Sequence, residues 1–412
     1  MTAQVSVDEQ MRVLMRGVEY GDPNIQRTME EDLRERLSLG KPLRVYCGFD
    51  PTSTDLTLGN MVPMLKMRQF QRLGHDVTFL IGTMTGLVGD PSDKTAARQM
   101  LTVEQVESNA QTWLRQVFRV LDPDKTTIER NGDWLASLTL AEVVQLASNF
   151  TVAQFLEHET FRNRMAEAKP LYIHEFIYAL MQAYDAHHLK TDVQLGAVDQ
   201  LFNIMAGRQL QRALGERPLI AVTTPLLKGT DGVLKMSKSV GNYVGLDEAP
   251  AEMYGKLMSI PDSLMPNYFT LLTEVPSEEL AEIERGLAAK TLNPMEAKKR
   301  LARSVVALLY DDGQAEAAQA EFERVFQRRE EPEEAQELPL ALDQDGKASV
   351  DITLALSVAG VAGSRSEARR LLQQGGISID GQPIKEAQVE LAEGSLIRVG
   401  RHRFLRVVAA DG

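Results

Sequence analysis

The chain is poor in residues that build covalent or metal frameworks. Its 412 residues include one cysteine, Cys47, so no intramolecular disulfide can form and no cysteine-based zinc site can close. A lone cysteine suits a reducing compartment. No stretch approaches the ~20 apolar residues that a membrane-spanning helix needs. The start, MTAQVSVDEQMRVLMRGVEYGD, lacks a cationic segment followed by an apolar run, so it does not read as a secretory signal. The expectation is a cytoplasmic protein with no membrane association. An excess of basic charge is also missing. The formal net charge of −13 argues against a protein that coats nucleic acid non-specifically. What is present is ordinary: 43% apolar and 25% charged residues exclude a wholly disordered, collagen-like or membrane-bundle chain. At roughly 150 residues per domain, the length suggests two or three domains.

Charge is unevenly placed. Residues 361–412 carry eight basic side chains against six acidic ones, a net of +2, which leaves −15 for the rest. Gln327–Glu337 is charged without apolar periodicity and reads as a solvated linker. Residues 1–40 read as helical. Arg44–Phe49 and Asp76–Gly82 read as strands on either side of a helix from about Gly59 to Leu73. Strand, helix, strand within about 40 residues is a βαβ unit and implies a parallel sheet. The span from Asn131 to about Ala197 reads as mostly helical, Pro218–Thr224 as a further apolar strand, and Ala249–Arg328 as helical again.

Three segments can carry chemistry. Gly48-Phe-Asp-Pro-Thr-Ser-Thr-Asp-Leu-Thr-Leu-Gly-Asn60 joins a strand to a helix, and a helix start with free N–H groups is a phosphate site; Gly59 allows close backbone approach. The bland alternative is a loop whose Thr57 and Asn60 only cap the helix. Leu234-Lys-Met-Ser-Lys-Ser-Val-Gly-Asn242 follows Lys228-Gly-Thr-Asp-Gly232 and offers two flexible ammonium groups, able to follow a polyphosphate whose charge moves during reaction. In Tyr172–Asp185, helical spacing puts Tyr178, Gln182 and Asp185 on one face, a polar stripe in otherwise apolar sequence.

These segments carry a family resemblance. YCGFDPTSTDLTLGN, TGLVGDPSDK, EFIYALMQAYD, LGAVDQLFNIMAG and LKMSKS stand in the order found in the bacterial tyrosyl-tRNA synthetases of class I, over residues 40–330. The resemblance implies an α/β fold: a Rossmann-like parallel-sheet catalytic domain with a helical insertion at 1–245, an α-helical domain of the anticodon region at 246–330, a charged linker at 331–347 and a small α+β module at 348–412. It implies tyrosyl-adenylate formation from tyrosine and ATP, then transfer to the 3′-terminal adenosine of tRNA(Tyr). It further implies Mg²⁺ carried by ATP, no protein-bound metal or prosthetic group, and a homodimer.

The same resemblance implies the site residues. Tyr46 and Asp185 would bond the substrate phenol. Asp90, Tyr178 and Gln182 would hold the α-ammonium, with Gln200 beside the carboxylate. Cys47, Gly48, Gly59, Asp199 and Met236 would line the nucleotide site, with Asp50 between nucleotide and amino acid and Thr52 near the phosphates. Lys94, Arg98, Lys235 and Lys238 would hold the leaving pyrophosphate. The attacking group is already a carboxylate, so no general base is needed.

The sequence departs from the family at Thr57-Leu-Gly-Asn60, where His-Ile-Gly-His is usual. Thr and Asn donate hydrogen bonds but carry no charge. The related tryptophanyl enzymes often have Thr-Ile-Gly-Asn there, which keeps a tryptophan-specific enzyme as a rival; Tyr46, Asp185 and the basic tail count against it. The missing histidines also motivate a non-catalytic RNA-binding protein, against the intact KMSKS string. Ala197-Val198 and Asp93 are smaller departures. Residues 350–408 resemble the S4 RNA-binding domain, with Arg365, Arg369 and Arg370 on a short helix suited to RNA phosphates. His187 and His188, adjacent on a helix, diverge and do not suggest a metal site. Trp113 and Trp134, and Met61, Met64 and Met67, read as packing residues.

Overall fold

A computed structural model describes residues 5–90, 101–156, 159–324, 335–343, 345–400 and 403–410. The chain divides into two compact units, Met1–Glu248 with Ser259–Asp312, and Ala249–Met258 with Gly313–Gly412.

The first unit is built on a five-stranded parallel sheet. Its strands are β1 (Arg44–Phe49), β2 (Asp76–Ile81), β3 (Thr126–Arg130), β4 (Val193–Ala197) and β5 (Ile220–Thr224), in the order β3-β2-β1-β4-β5. β5 is buried along its whole length and β4 nearly so, as strands covered on both faces must be. Two N-terminal helices, α1 (Val7–Met15) and α2 (Pro23–Ser38), precede the sheet. Asp22 caps α2, with Pro23 at its first position. Between β1 and β2 runs α3 (Leu58–Arg72), and α4 (Thr85–Val88) and α5 (Val103–Val117) lead to β3.

The insertion between β3 and β4 holds α6 (Gly132–Leu135), α7 (Leu140–Ala147), α8 (Val152–Leu156), α9 (Glu159–Ala166) and α10 (Ile173–His188). Phe155, Phe161, Ala179 and Leu180 form its own small core. α11 (Leu201–Ala213) packs Ala206 and Leu210 against Ala183 of α10. The span expected to be mostly helical to Ala197 therefore ends in β4. Its five residues, Val-Gln-Leu-Gly-Ala, are made a strand by pairing with β1 and β5, which no local pattern reveals.

The helices that follow Leu246 are divided between the two units. α13 (Met265–Leu272), α14 (Ser277–Ala288) and α15 (Pro294–Leu309) go with the first, where Lys298 of α15 donates to the Ile260 carbonyl at 2.7 Å. α12 (Pro250–Ser259) and α16 (Asp312–Phe322) go almost entirely with the second, where the Tyr254 and Phe322 rings lie 5.6 Å apart.

The rest of the second unit holds β6 (Gln336–Leu340), β7 (Lys347–Asp351), α17 (Ile352–Val358), α18 (Arg365–Gln373), β8 (Ile377–Ile379), β9 (Gln382–Pro383), β10 (Gln388–Ala392), β11 (Leu396–Val399) and β12 (Arg403–Ala409). One sheet runs β6-β12-β11-β8-β9, and β10 pairs with β7. Ile352, Leu356, Ile377, Leu391, Ile397 and Leu405 fill the core beneath the two helices. β6 lies inside the segment read as a linker and pairs in parallel with β12.

Candidate active site

β1 is the central strand, and the chain leaves it toward β2 on one side and returns as β4 on the other. In open parallel sheets, ligands bind outside the carboxyl ends of the strands at such a reversal. A cleft of about 1060 Å³ opens there. That exceeds the ~300–1,000 Å³ usual for one small molecule.

Its buried end is polar. Asp185 of α10 and Tyr46 of β1 are each 2% exposed. The Asp185 carboxylate accepts from Trp134 Nε1 at 2.8 Å and Asn131 Nδ2 at 3.0 Å. Burial pushes its pKa up to about 7 against the pull of both donors, with the nearby Asp50 charge adding to the rise. Burial, joined by the Asp185 charge, also holds the Tyr46 phenol well above its ordinary range. The Tyr46 hydroxyl donates to the Gln182 carbonyl at 3.5 Å.

A hydrogen-bonded chain joins this end to Asp50. Asn131 Nδ2 also donates to Thr85 Oγ1 at 2.9 Å, and the Thr85 hydroxyl donates to Asp50 Oδ1 at 2.7 Å. Tyr178 donates to Asp50 Oδ2 at 3.0 Å. The Met84 N–H on Asn131 Oδ1, at 2.9 Å, fixes which way the Asn131 amide points. Gly82 makes room for the chain, since a Cβ there would lie 2.1 Å from Asp50 Oδ1 and 2.3 Å from Thr85 Oγ1. On the β4 side, Gln200 donates to Asp90, and Asp199 lies 3.8 Å from Lys235 Nζ.

The Lys/Ser loop forms the remaining wall. Lys238 Nζ donates to Ser53 Oγ at 2.8 Å and to the Asp55 carbonyl, on the loop after β1. Burial lowers the Lys238 pKa, with Asp55 opposing. Backbone bonds from Leu58 N–H to the Val244 carbonyl and from Leu246 N–H to the Leu56 carbonyl tie the end of this loop to the start of α3. Met236 packs over Gly59, where an added Cβ would lie 3.7 Å from its own. Asn60 Oδ1 accepts from both the Thr57 N–H and the Thr57 hydroxyl, each at 3.0 Å. Thr57 and Asn60 thus fasten each other as a helix start, and the Asn60 amide NH₂ is the group they can offer to the cleft.

The fold therefore gathers Tyr46, Cys47, Gly48, Asp50, Thr52, Thr57, Gly59, Asn60, Asp90, Tyr178, Gln182, Asp185, Asp199, Gln200, Lys235, Met236 and Lys238 around one cleft. Cys47 is buried in β1 and its thiol pKa is raised by that burial. Lys94 and Arg98 lie outside the described residues. In the second unit Arg365, Arg369 and Arg370 are all exposed on α18, but the Arg365 guanidinium is paired with Asp351.

Gly82, Thr85 and Asn131 of the cleft lining escape sequence reasoning, and so does Trp134, which donates to the lining residue Asp185. Trp134 reads in the sequence as a packing residue alone. A buried indole N–H needs an acceptor, and that rule is the signal that points beyond packing. Trp113, which reads the same way, donates its own N–H to the Ser53 carbonyl at 2.8 Å. The two histidines do diverge: His187 faces Glu216 at 2.9 Å, while His188 stacks on Trp134 with centroids 4.3 Å apart.

Residues 38–327 match the family described as "tRNA synthetases class I (W and Y)", and residues 354–397 match the S4 domain. The chain is 46% identical to a tyrosine–tRNA ligase of Moorella thermoacetica, over 97% of this chain and 96% of that one. It is 43% identical to a tyrosine–tRNA ligase of Thermotoga maritima, over 98% of each. Among solved structures, a C-terminally truncated mitochondrial tyrosyl-tRNA synthetase of Aspergillus nidulans superposes with a TM-score of 0.63 at 23% identity, covering 78% of this chain and 94% of that one. The tyrosyl-tRNA synthetase of Archaeoglobus fulgidus complexed with L-tyrosine superposes at 0.60 and 22% identity, covering 76% and 100%. At those identities the likeness speaks for the fold.

Proposed function

We infer the function from the family: the chain belongs to the class I tRNA synthetases of the tryptophan and tyrosine type, carries an S4 domain, and is a tyrosine–tRNA ligase. It joins L-tyrosine to ATP as tyrosyl-adenylate, releasing pyrophosphate, and then passes the tyrosyl group to the terminal adenosine of tRNA(Tyr). One observation carries this reading. A single cleft has a buried Tyr46–Asp185 end and two lysines of the KMSKS loop on its wall.

In this reading the substrate phenol meets Tyr46 and Asp185. Asp185 already accepts from Trp134 and Asn131, so a phenylalanine would leave unmet only the hydrogen-bonding capacity that Asp185 and Tyr46 keep for the phenol, an argument for which tyrosyl-tRNA synthetases are themselves the standard illustration. Asp90, Tyr178 and Gln182 receive the α-ammonium, and Gln200 stands near the carboxylate. Cys47, Gly48, Gly59, Asp199 and Met236 line the nucleotide, Asp50 stands between the two substrates, and Thr52, Thr57 and Asn60 face the phosphates. The tyrosine carboxylate attacks the α-phosphorus, the bond to the β-phosphate oxygen breaks, and charge builds on pyrophosphate. Lys235 and Lys238, with Lys94 and Arg98, supply cations where that charge develops. Alignment of the two substrates supplies much of the remaining rate. Mg²⁺ enters as the counter-ion of the ATP phosphates.

We assign residues 1–245 to catalysis, 246–330 to the anticodon side of tRNA, and the S4 module with Arg365, Arg369 and Arg370 to the RNA backbone. A homodimer is supported by exposed apolar residues on the insertion: Leu140, Val144, Val152 and Ile173 are 61–79% exposed. A second copy would cover them. A cytoplasmic location fits the single buried cysteine and the absence, among the described residues, of any helix long and apolar enough to cross a membrane.

The test is amino-acid-dependent ATP–pyrophosphate exchange with tyrosine, phenylalanine and tryptophan. Exchange with tyrosine alone is expected. Folded protein that exchanges with none, or prefers tryptophan, overturns the reading.

A further inference from the structure

The loop that carries Lys235 and Lys238 is held by two side chains with no part in the chemistry above. Asn242 is 4% exposed. Its Oδ1 accepts from the Ser237 N–H at 2.8 Å, and its Nδ2 donates to the Lys235 carbonyl at 3.2 Å. One amide therefore grips the backbone on both sides of Met236. The same Nδ2 donates to Asp231 Oδ2 at 2.8 Å. Asp231 Oδ1 in turn accepts from the Val233 and Leu234 N–H groups at 2.9 and 3.2 Å. Those N–H groups and the Asn242 amide hold the Asp231 pKa below its usual value, so it stays anionic. The backbone closes the same ring, with Gly229 N–H on the Leu234 carbonyl at 2.8 Å and Thr230 N–H on the Asn242 carbonyl at 2.9 Å. Gly229 is required by this packing, because a Cβ there would lie 2.3 Å from Asn242 Cγ.

We propose that Asn242 and Asp231 are positioning residues that set the backbone from which Lys235 and Lys238 reach the transferring phosphates. A lysine is a point charge on a flexible four-carbon stem, so its aim depends on a fixed Cα. Only an amide serves at 242, because the position needs an acceptor toward Ser237 and donors toward Lys235 and Asp231. The role of the lysines rests on the tyrosine–tRNA ligase reading; the clamp itself rests on the hydrogen bonds.

The test uses the full-length protein with Asn242→Ala and Asp231→Ala. Trypsin cleavage after Lys235 and Lys238, without ligands, reads the clamp independently of any reaction. We expect Asn242→Ala to raise that cleavage rate about tenfold with an unchanged melting temperature, because fewer fixed contacts lower the local opening free energy. In tyrosine-dependent exchange, kcat falls by on the order of 10²-fold, the effect of an ångström of misplacement. KM for tyrosine moves less than about twofold, since Tyr46 and Asp185 are elsewhere in the cleft. In a double-mutant cycle the loss is non-additive with Lys235→Ala. Unchanged cleavage overturns the clamp. A kcat loss fully additive with Lys235→Ala, or one matched by the tyrosine KM, overturns the positioning role. Loss of exchange in the unsubstituted protein would instead fail the ligase reading, and the cleavage comparison would still decide the clamp.

Discussion

Asp185→Asn should change the pH dependence of stability. The Asp185 carboxyl has a pKa of about 7 in the fold against 3.8 for an unperturbed group. The folded chain therefore binds more protons than the unfolded one between those values. The group disfavours the fold increasingly above about pH 4 and does so fully above about pH 7. At 1.36 kcal/mol per unit the whole effect is about 4 kcal/mol, of which roughly 3 kcal/mol develops between pH 5 and 8. The Asp185→Asn protein would lack this titration. Its new amide would also set an NH₂ against one of two donors, because the Trp134 indole can only donate and Asn131 is held by Met84. That conflict costs about 1–3 kcal/mol at every pH and cancels from the pH difference. Urea unfolding followed by indole emission, on both proteins at pH 5 and 8, measures it. The variant should gain roughly 3 kcal/mol on the unsubstituted protein over that interval. A difference constant to within about 0.5 kcal/mol would show that Asp185 ionises normally in the fold and would refute the reasoning.

Three further outcomes follow from other contacts. Gly82→Ala should raise the tyrosine KM on the order of tenfold or more in exchange kinetics, since its Cβ would displace the Thr85–Asp50 bond that orients Tyr178; an unchanged KM would mean the chain does not orient the pocket. Lys66 is 4% exposed, and burial, with Arg16 adding, lowers its pKa to about 7. The folded chain then binds fewer protons, so the penalty is complete below about pH 7 and fades as pH rises toward 10.5; Lys66→Met should stabilise by roughly 2–4 kcal/mol at pH 6 and by little at pH 10, as thermal unfolding would read. Arg369→Ala with Arg370→Ala should weaken tRNA binding and reduce the slope of log K against log salt by about one per charge, whereas Arg365→Ala should also lower stability of the second unit through its Asp351 pair.

What the sequence made legible was local. The loop after β1, the α10 stripe and the Lys/Ser loop each advertise themselves within a dozen residues, and the parallel sheet predicted from one βαβ unit is the sheet observed. What stayed hidden depends on distant partners. Val193–Ala197 has one β-branched residue and becomes a strand through β1 and β5. Gln336–Leu340 is drawn into a sheet by β12, more than sixty positions later. The Trp134–Asp185 bond joins residues 51 apart across the insertion, so neither side chain announces the other.

The parallel pairing of β6 with β12 decides how the C-terminal module can be cut from the chain. A fragment beginning at residue 348, where the resemblance alone would start it, leaves the outer edge of β12 bare, with a row of unpaired N–H and C=O groups flanking buried Leu405 and Val407. Such an edge invites strand addition between copies. A fragment that keeps Gln336–Leu340 carries the cover for that edge, so it is expected to self-associate less than the shorter one.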